Sequence, residues 1–159
     1  LYARREMQPL LSPLVVSWGW RTEHPSGSRF IDENEFQATR DISPRLAVPT
    51  AIAFQHDLGW AGVRASCRAL CDEAAARVTA LTGLEPLAPA GSAWTGQMRT
   101  LPLPDCDVET VKRRLLNEHG VEVPVFRWNE RPWLRVSVQG YNTENDIHRL
   151  LEGLRAVLY

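Results

Sequence analysis

Apolar residues return every third or fourth position from Trp60 to Leu81, through Val63, Cys67, Leu70, Cys71, Ala74 and Val78. On a helix of 3.6 residues per turn these positions fall in one stripe, so the spacing predicts a long amphipathic helix. Gly83 stands just beyond it, where a left-handed residue closes a helix. A second pattern has period two. Leu134, Val136 and Val138 alternate with Trp133, Arg135 and Ser137. That alternation predicts a strand with the aliphatic set on a core face and Arg135 on the other. Val121, Val123 and Val125 predict another strand in the same way, and one more lies within Ala93 to Leu103. Between them Asp107 is placed to cap a helix from Val108 to about His119, with Val111, Leu115 and Leu116 inward and Gly120 closing it. A last helix starts at Glu144 and buries Ile147, Leu150, Leu151, Leu154 and Leu158. Thr143 and Asp146 ahead of it have the spacing of a capping box.

The first third of the chain is less periodic. The β-branched run from Leu14 to Trp18 predicts a strand, after a short strand-like piece and a polar break. Residues 21–35, rich in Gly, Ser, Pro and charge, read as a loop. Ser43 suits a helix cap and Pro44 the first helical position, opening a helix through Leu46, Ala47, Thr50, Ala51 and Phe54 to about Asp57. The expected class is therefore α+β. A long helix is followed by β-α-β-β-α, with helices on one face of a small antiparallel sheet. The expected boundary separates residues 1–57 from 58–159. Residues 1–57 do not make a domain alone, because their two strands and one helix need further protein to pack against.

Composition narrows the classes. At 159 residues, 44% apolar and 23% charged, the chain is an ordinary globular length and mix. Its net charge of −1, with no basic run, gives no sign of nucleic acid. No apolar stretch approaches the ~20 residues that span a bilayer, and there is no signal-peptide pattern. Three cysteines, an odd number, fit a reducing cytoplasm better than a disulfide framework. Cys67 and Cys71 lie one helical turn apart, but both fall on the apolar stripe. Two thiols with no matching His do not make a zinc site, so no metal is expected. Cys106, His24 and His148 have no partners in the pattern that would recruit them to catalysis.

Arg135 is the residue whose chemistry asks for a role. A guanidinium held on a short strand can grip a carboxylate through two parallel hydrogen bonds. It can equally lie on a solvated face or pair with a structural acid. The segment around it, Arg135-Val136-Ser137 followed by Tyr141-Asn142-Thr143 and an acidic helix start, resembles the C-terminal signature of class V aminotransferase-like enzymes. These are pyridoxal-phosphate proteins of fold type I. The resemblance extends to the run Pro13 to Trp20 and to Phe36 through Asp41, and is greatest for isopenicillin N epimerase-type members.

The resemblance implies that Arg135 binds the α-carboxylate of an amino-acid substrate. It also implies that Thr39 reaches the pyridoxal phosphate, commonly that of the other subunit of a homodimer, with Ala38 standing where the family has glycine. Tyr141 and Asn142 would shape the turn behind the Arg. The family's Schiff-base lysine lies before the matched region. The only lysine here is Lys112, beside Arg113 and Arg114 on a charged helix face, so no catalytic residue is expected within the chain. The first residue is Leu1. These points lead to the expectation of the C-terminal part of a longer enzyme, comprising the tail of the large domain and then the small domain, inactive by itself. A cysteine desulfurase or C–S lyase-like member is the alternative on the same scaffold, although no cysteine clearly takes the desulfurase role. A free-standing interaction domain is the alternative from another class.

Overall fold

The computed structural model describes residues 2–35, 38–89 and 95–159. The chain divides into two compact units, Leu1–Ala53 and Phe54–Tyr159.

In the first unit a 3-10 turn, Arg5–Leu10, precedes the helix α1, Arg29–Glu35. The run Leu14 to Trp18 is not a strand, and no strand occurs among the described residues before Met98. β-branched residues favour a pleated surface only when another strand supplies the ladder, and this segment has none. Residues 21–35 are not all loop either. The Ser28 hydroxyl accepts the Ile31 amide, and Arg29 Nε donates to Glu33 at 2.8 Å one turn on. A cap and an i,i+4 pair thus support a helix that lacks an apolar stripe. At Gly19 a side chain would have no room: a Cβ there would fall 1.7 Å from the Asp32 carbonyl oxygen. The helix expected from Ser43 to Asp57 is two, α2 (Ser43–Leu46) and α3 (Val48–Asp57). Ser43 rather than Pro44 is the first helical residue of α2, and Ile42 stands at the cap position. Pro49 lacks the N–H that would bond back to Arg45, and the helix is interrupted at Ala47. All ten residues of α3 are exposed, Val48, Ile52 and Phe54 among them.

The second unit holds the core. Helix α4, Trp60–Thr82, runs to a left-handed Gly83 and buries Cys67, Cys71, Ala74, Ala75 and Val78. Strand β1, Met98–Pro102, is followed by α5, Val108–His119. Asp107 caps α5 by accepting the Thr110 amide at 2.7 Å. Val111 and Leu115 turn inward as expected, but Leu116, one position round the helix, is half exposed. Strands β2, Val125–Trp128, and β3, Arg131–Ser137, form a hairpin, and α6, Glu144–Leu158, completes the chain with its Thr143/Asp146 capping box in place.

The three strands form one antiparallel sheet in the order β1-β3-β2. Val121 and Val123 pack against the core but lie outside the ladder, which begins after Pro124. Helix α6 packs against both α4 and α5, while α4 lies against β1 and β3 and α5 against β2. Leu101, Leu115, Leu134 and Leu154 are fully buried in the core. The fold is α+β, and no helix among the described residues is long and apolar enough to cross a membrane.

Candidate functional site

Strand register decides which side chains share the sheet's outer face. Arg135 pairs with Thr100 of β1, Ser137 with Met98, and Trp133 with both Pro102 and Phe126. Opposed residues in an antiparallel pair point the same way. The outer face therefore carries Thr100 and Arg135 in one row and Pro102, Trp133 and Phe126 in the next. The Arg135 amide is fixed by the Pro124 carbonyl at 3.0 Å, while its side chain is exposed. Its guanidinium makes no hydrogen bond or ion pair with any described residue. The strand is held, and its charge is unspent.

The turn behind the strand is tied locally. The Asn142 side-chain oxygen accepts the Gln139 amide, and the Asn142 amide donates to the Gln139 carbonyl. Gly140 passes close to α4, where a Cβ would sit 3.0 Å from Val63 Cγ1. Asp146 accepts the Thr143 amide at 2.9 Å, and this bond holds its carboxyl below the usual range.

Thr39 belongs to a separate cleft of about 680 Å³ within the first unit, lined also by Trp18, His24, Ala38, Arg40 and Arg45. Ala38 has φ +76°. It holds the left-handed backbone that glycine adopts freely, at a cost of about 1–2 kcal/mol for an L-residue. Strain of this kind tends to mark functional turns. Arg40 donates to the Glu35 carbonyl at 3.0 Å. The Arg45 guanidinium makes no hydrogen bond or ion pair with a described residue. A threonine hydroxyl, a left-handed turn and an unpaired guanidinium around one cleft suit an anionic group. Pattern alone assigns Arg45 no role and leaves His24 without a partner, because nothing linear joins either to Thr39.

Another residue invisible to pattern is Arg99. It lies on the sheet's inner face, 3% exposed, and pairs with Asp72 of α4 while its Nη1 donates to the Pro89 carbonyl at 3.0 Å. Cys67 and Cys71 are core residues, and burial pushes the Cys71 thiol up to about 11. Burial also raises that of Cys106. Lys112 is exposed on α5. Among the described residues no group of three His, Cys, Asp or Glu side chains is placed to hold a metal.

No family model matches the chain. Among curated proteins it is 36% identical over 165 residues to the isopenicillin N epimerase of Amycolatopsis lactamdurans, with 98% of this chain and 42% of that protein covered. It is 34% identical over 158 residues to the isopenicillin N epimerase of Streptomyces clavuligerus, with 92% and 40% covered. The chain thus spans about two-fifths of the length of these relatives. Among solved structures it resembles 8-amino-7-oxononanoate synthase from Francisella tularensis, with a TM-score of 0.52, 19% identity, and 80% of this chain and 37% of that chain covered. At that identity the likeness concerns the fold alone.

Proposed function

We propose, from the premise that this chain belongs to the class V aminotransferase-like proteins related to isopenicillin N epimerase, that it supplies the substrate-carboxylate arm of a pyridoxal-phosphate enzyme acting at the α-carbon of an amino acid. The observation that carries this reading is the exposed, unpaired guanidinium of Arg135 on a strand whose backbone is fixed. Identity along nearly the whole chain to two isopenicillin N epimerases supports it. Residues 1–57 are read as part of a larger cofactor-binding domain and 58–159 as the small domain of fold type I. The exposed apolar side chains of α3 support further protein covering the first region, from the same polypeptide and from a second subunit.

When bound, pyridoxal phosphate supplies an electron sink for the α-carbon of the substrate. Arg135 receives the substrate carboxylate in a bidentate pair, and the sheet's rigidity turns that grip into orientation of the bond to be broken. Thr39 and Arg45, which line one cleft, would hold the phosphate of the cofactor. Epimerisation, with the α-proton returned to the opposite face, is the reaction favoured by the relatives' names. No residue of this chain is assigned the proton transfer.

In the full-length enzyme Arg135→Ala should raise KM for the amino-acid substrate by about ten-fold or more, the worth of one charge-assisted pair. Cofactor content should stay unchanged. Thr39→Val should weaken cofactor retention and leave the substrate KM of the loaded enzyme alone. An unaltered KM in Arg135→Ala would overturn the reading. The 159-residue chain alone, mixed with equimolar pyridoxal phosphate, should retain no bound cofactor aldimine after dialysis. A stoichiometric aldimine at Lys112 that withstands dialysis and a competing amine would place the cofactor lysine in this chain after all.

A further inference from the structure

Strand β3 has a ladder on both sides only up to Leu134. Its pairing with β2 ends there, at Val125, and one further bond on that side runs from the Arg135 amide to the Pro124 carbonyl at 3.0 Å. Pro124 has no N–H to return. Just beyond, a cleft of about 210 Å³ opens beside Val136, Ser137 and Val138, with Val121 and Val123 on its other wall. On the opposite side the ladder with β1 starts at Met98, opposite Ser137, and the chain ahead of it bends at Gly96 and Gln97. The turn after β3 lines a second cleft, of about 310 Å³, with Val63 and Leu70 of α4. The strand that carries Arg135 thus borders open space at its end.

Gln97 holds that end. Its backbone carbonyl accepts the Val138 amide at 2.8 Å, and its side-chain Nε2 donates to the Val138 carbonyl at 3.0 Å. One residue therefore serves both main-chain polar groups of Val138, the first through its backbone and the second through its side chain. The ladder gains a final rung where the backbone has already turned away. Val138 is buried, so a carbonyl left without that donor would be costly.

The same Nε2 also donates to Gln139 Oε1 at 3.3 Å, and Gln139 Oε1 accepts the Gly140 amide at 2.9 Å. The Gln139 amide in turn donates to Asn142 Oδ1 at 2.9 Å. A relay of side-chain amides thus joins the approach to β1 with the turn after β3, across 41 positions of chain. The buried side chains of Val136 and Val138 hold the strand end down, but burial has no direction. Hydrogen bonds have one, and they fix the twist of the strand about its own axis.

We infer that Gln97 is a positioning residue for Arg135. Through Val138 and the Gln139–Asn142 turn it fixes the twist of the last stretch of β3, and with it the direction from which the guanidinium meets a carboxylate. The inference rests on the carboxylate-binding reading of Arg135 and adds a residue that acts on the ligand only through that arginine. A planar guanidinium grips a carboxylate through two parallel bonds and needs this direction, whereas an ammonium is a point charge that does not.

The test is an NMR titration of the 159-residue chain with acetate, read at the Thr100 amide beside Arg135 so that one signal serves every variant. Gln97→Met keeps the length of the side chain and removes its donor, and should weaken acetate binding about three-fold, the worth of one hydrogen bond. Gln139→Ala should weaken it in the same direction, and the pair of changes no more than Gln97→Met alone. In an Arg135→Lys background Gln97→Met should change nothing. Asp107→Ala, which removes the cap of α5, controls for lost stability and should leave acetate binding as it was. Unchanged binding in Gln97→Met, an equal loss in the Arg135→Lys background, or an equal loss in Asp107→Ala would overturn the inference and leave Arg135 as a carboxylate site. Acetate binding that is indifferent to Arg135→Gln, or no binding at all, would overturn both readings.

Discussion

Arg99 and Arg135 occupy neighbouring strands of one sheet in adjacent rows, since Arg99 opposes Val136 and Arg135 opposes Thr100, yet they face opposite ways. Arg99 points inward, is almost fully buried, and uses its guanidinium on Asp72 and the Pro89 carbonyl. Arg135 points outward and uses its guanidinium on nothing described. A buried charge must be matched or the fold loses several kcal/mol. An exposed one on a fixed strand costs little and stays available. The same side chain is thus a structural clasp on one face and an uncommitted charge on the other, and the difference is one step of register.

The comparison breaks hardest at the buried pair. Asp72→Ala leaves the Arg99 charge in the core without its acid, and should cost about 3–5 kcal/mol in urea unfolding. Arg99→Ala should cost somewhat less, about 2–4 kcal/mol, because Asp72 is partly open to water and can be resolvated. Replacing the two together, with Arg99→Met and Asp72→Leu, should recover most of the loss. If the double variant is no better than the singles, the pair is not what the site depends on. Arg135→Ala is the counterpart. It should move unfolding by no more than about 0.5 kcal/mol while raising the substrate KM of the full-length enzyme.

A finer probe is the hairpin that joins β2 to β3, where Glu130 has φ +62°. Glu130→Gly relieves the left-handed strain but adds chain entropy to the unfolded state, so a net gain of up to about 1 kcal/mol is expected. A loss would mean that the Glu130 side chain contributes something its exposure conceals.

The smallest effect is at the helix caps. Asp107 and Asp146 are held below the usual carboxylate range, chiefly by accepting the backbone amides of Thr110 and Thr143. A depressed folded-state value means that the stabilisation is complete above the ordinary aspartate value of about 4 and is lost as pH falls below it. Protection of the amides in the first turns of α5 and α6, taken relative to the intrinsic exchange rate at each pH, should therefore fall only in acid. Asp146→Asn should remove that pH dependence at α6 and leave it at α5.

Much of the second unit was legible because its signals agree. The stripe from Trp60 to Leu81 ends on a glycine, and the alternation from Trp133 to Val138 runs into a capping box. Where only one signal spoke, the reading failed. Leu14 to Trp18 has strand-forming residues but no partner strand. Val121 and Val123 alternate correctly, but the ladder starts only after Pro124, a residue without an amide to donate. Leu116 sits one position from the buried Leu115, a rotation of about 100° at 3.6 residues per turn, and so faces water. The helix at Arg29–Glu35 was missed because a cap and an ion pair, not periodicity, sustain it.

The candidate site divides in the same way. Arg135 on the non-core face of a strand follows from period two alone, since successive side chains on a strand must point to opposite sides. That it is unpaired, that Thr100 lies beside it, that Gln97 reaches the end of its strand, and that Arg99 is spent on Asp72 depend on which strands pair and in what register. Residues 27 to 41 positions apart in the chain meet there. A linear pattern carries the direction of a side chain from its own backbone, but its neighbours are set only when distant segments fold onto one another.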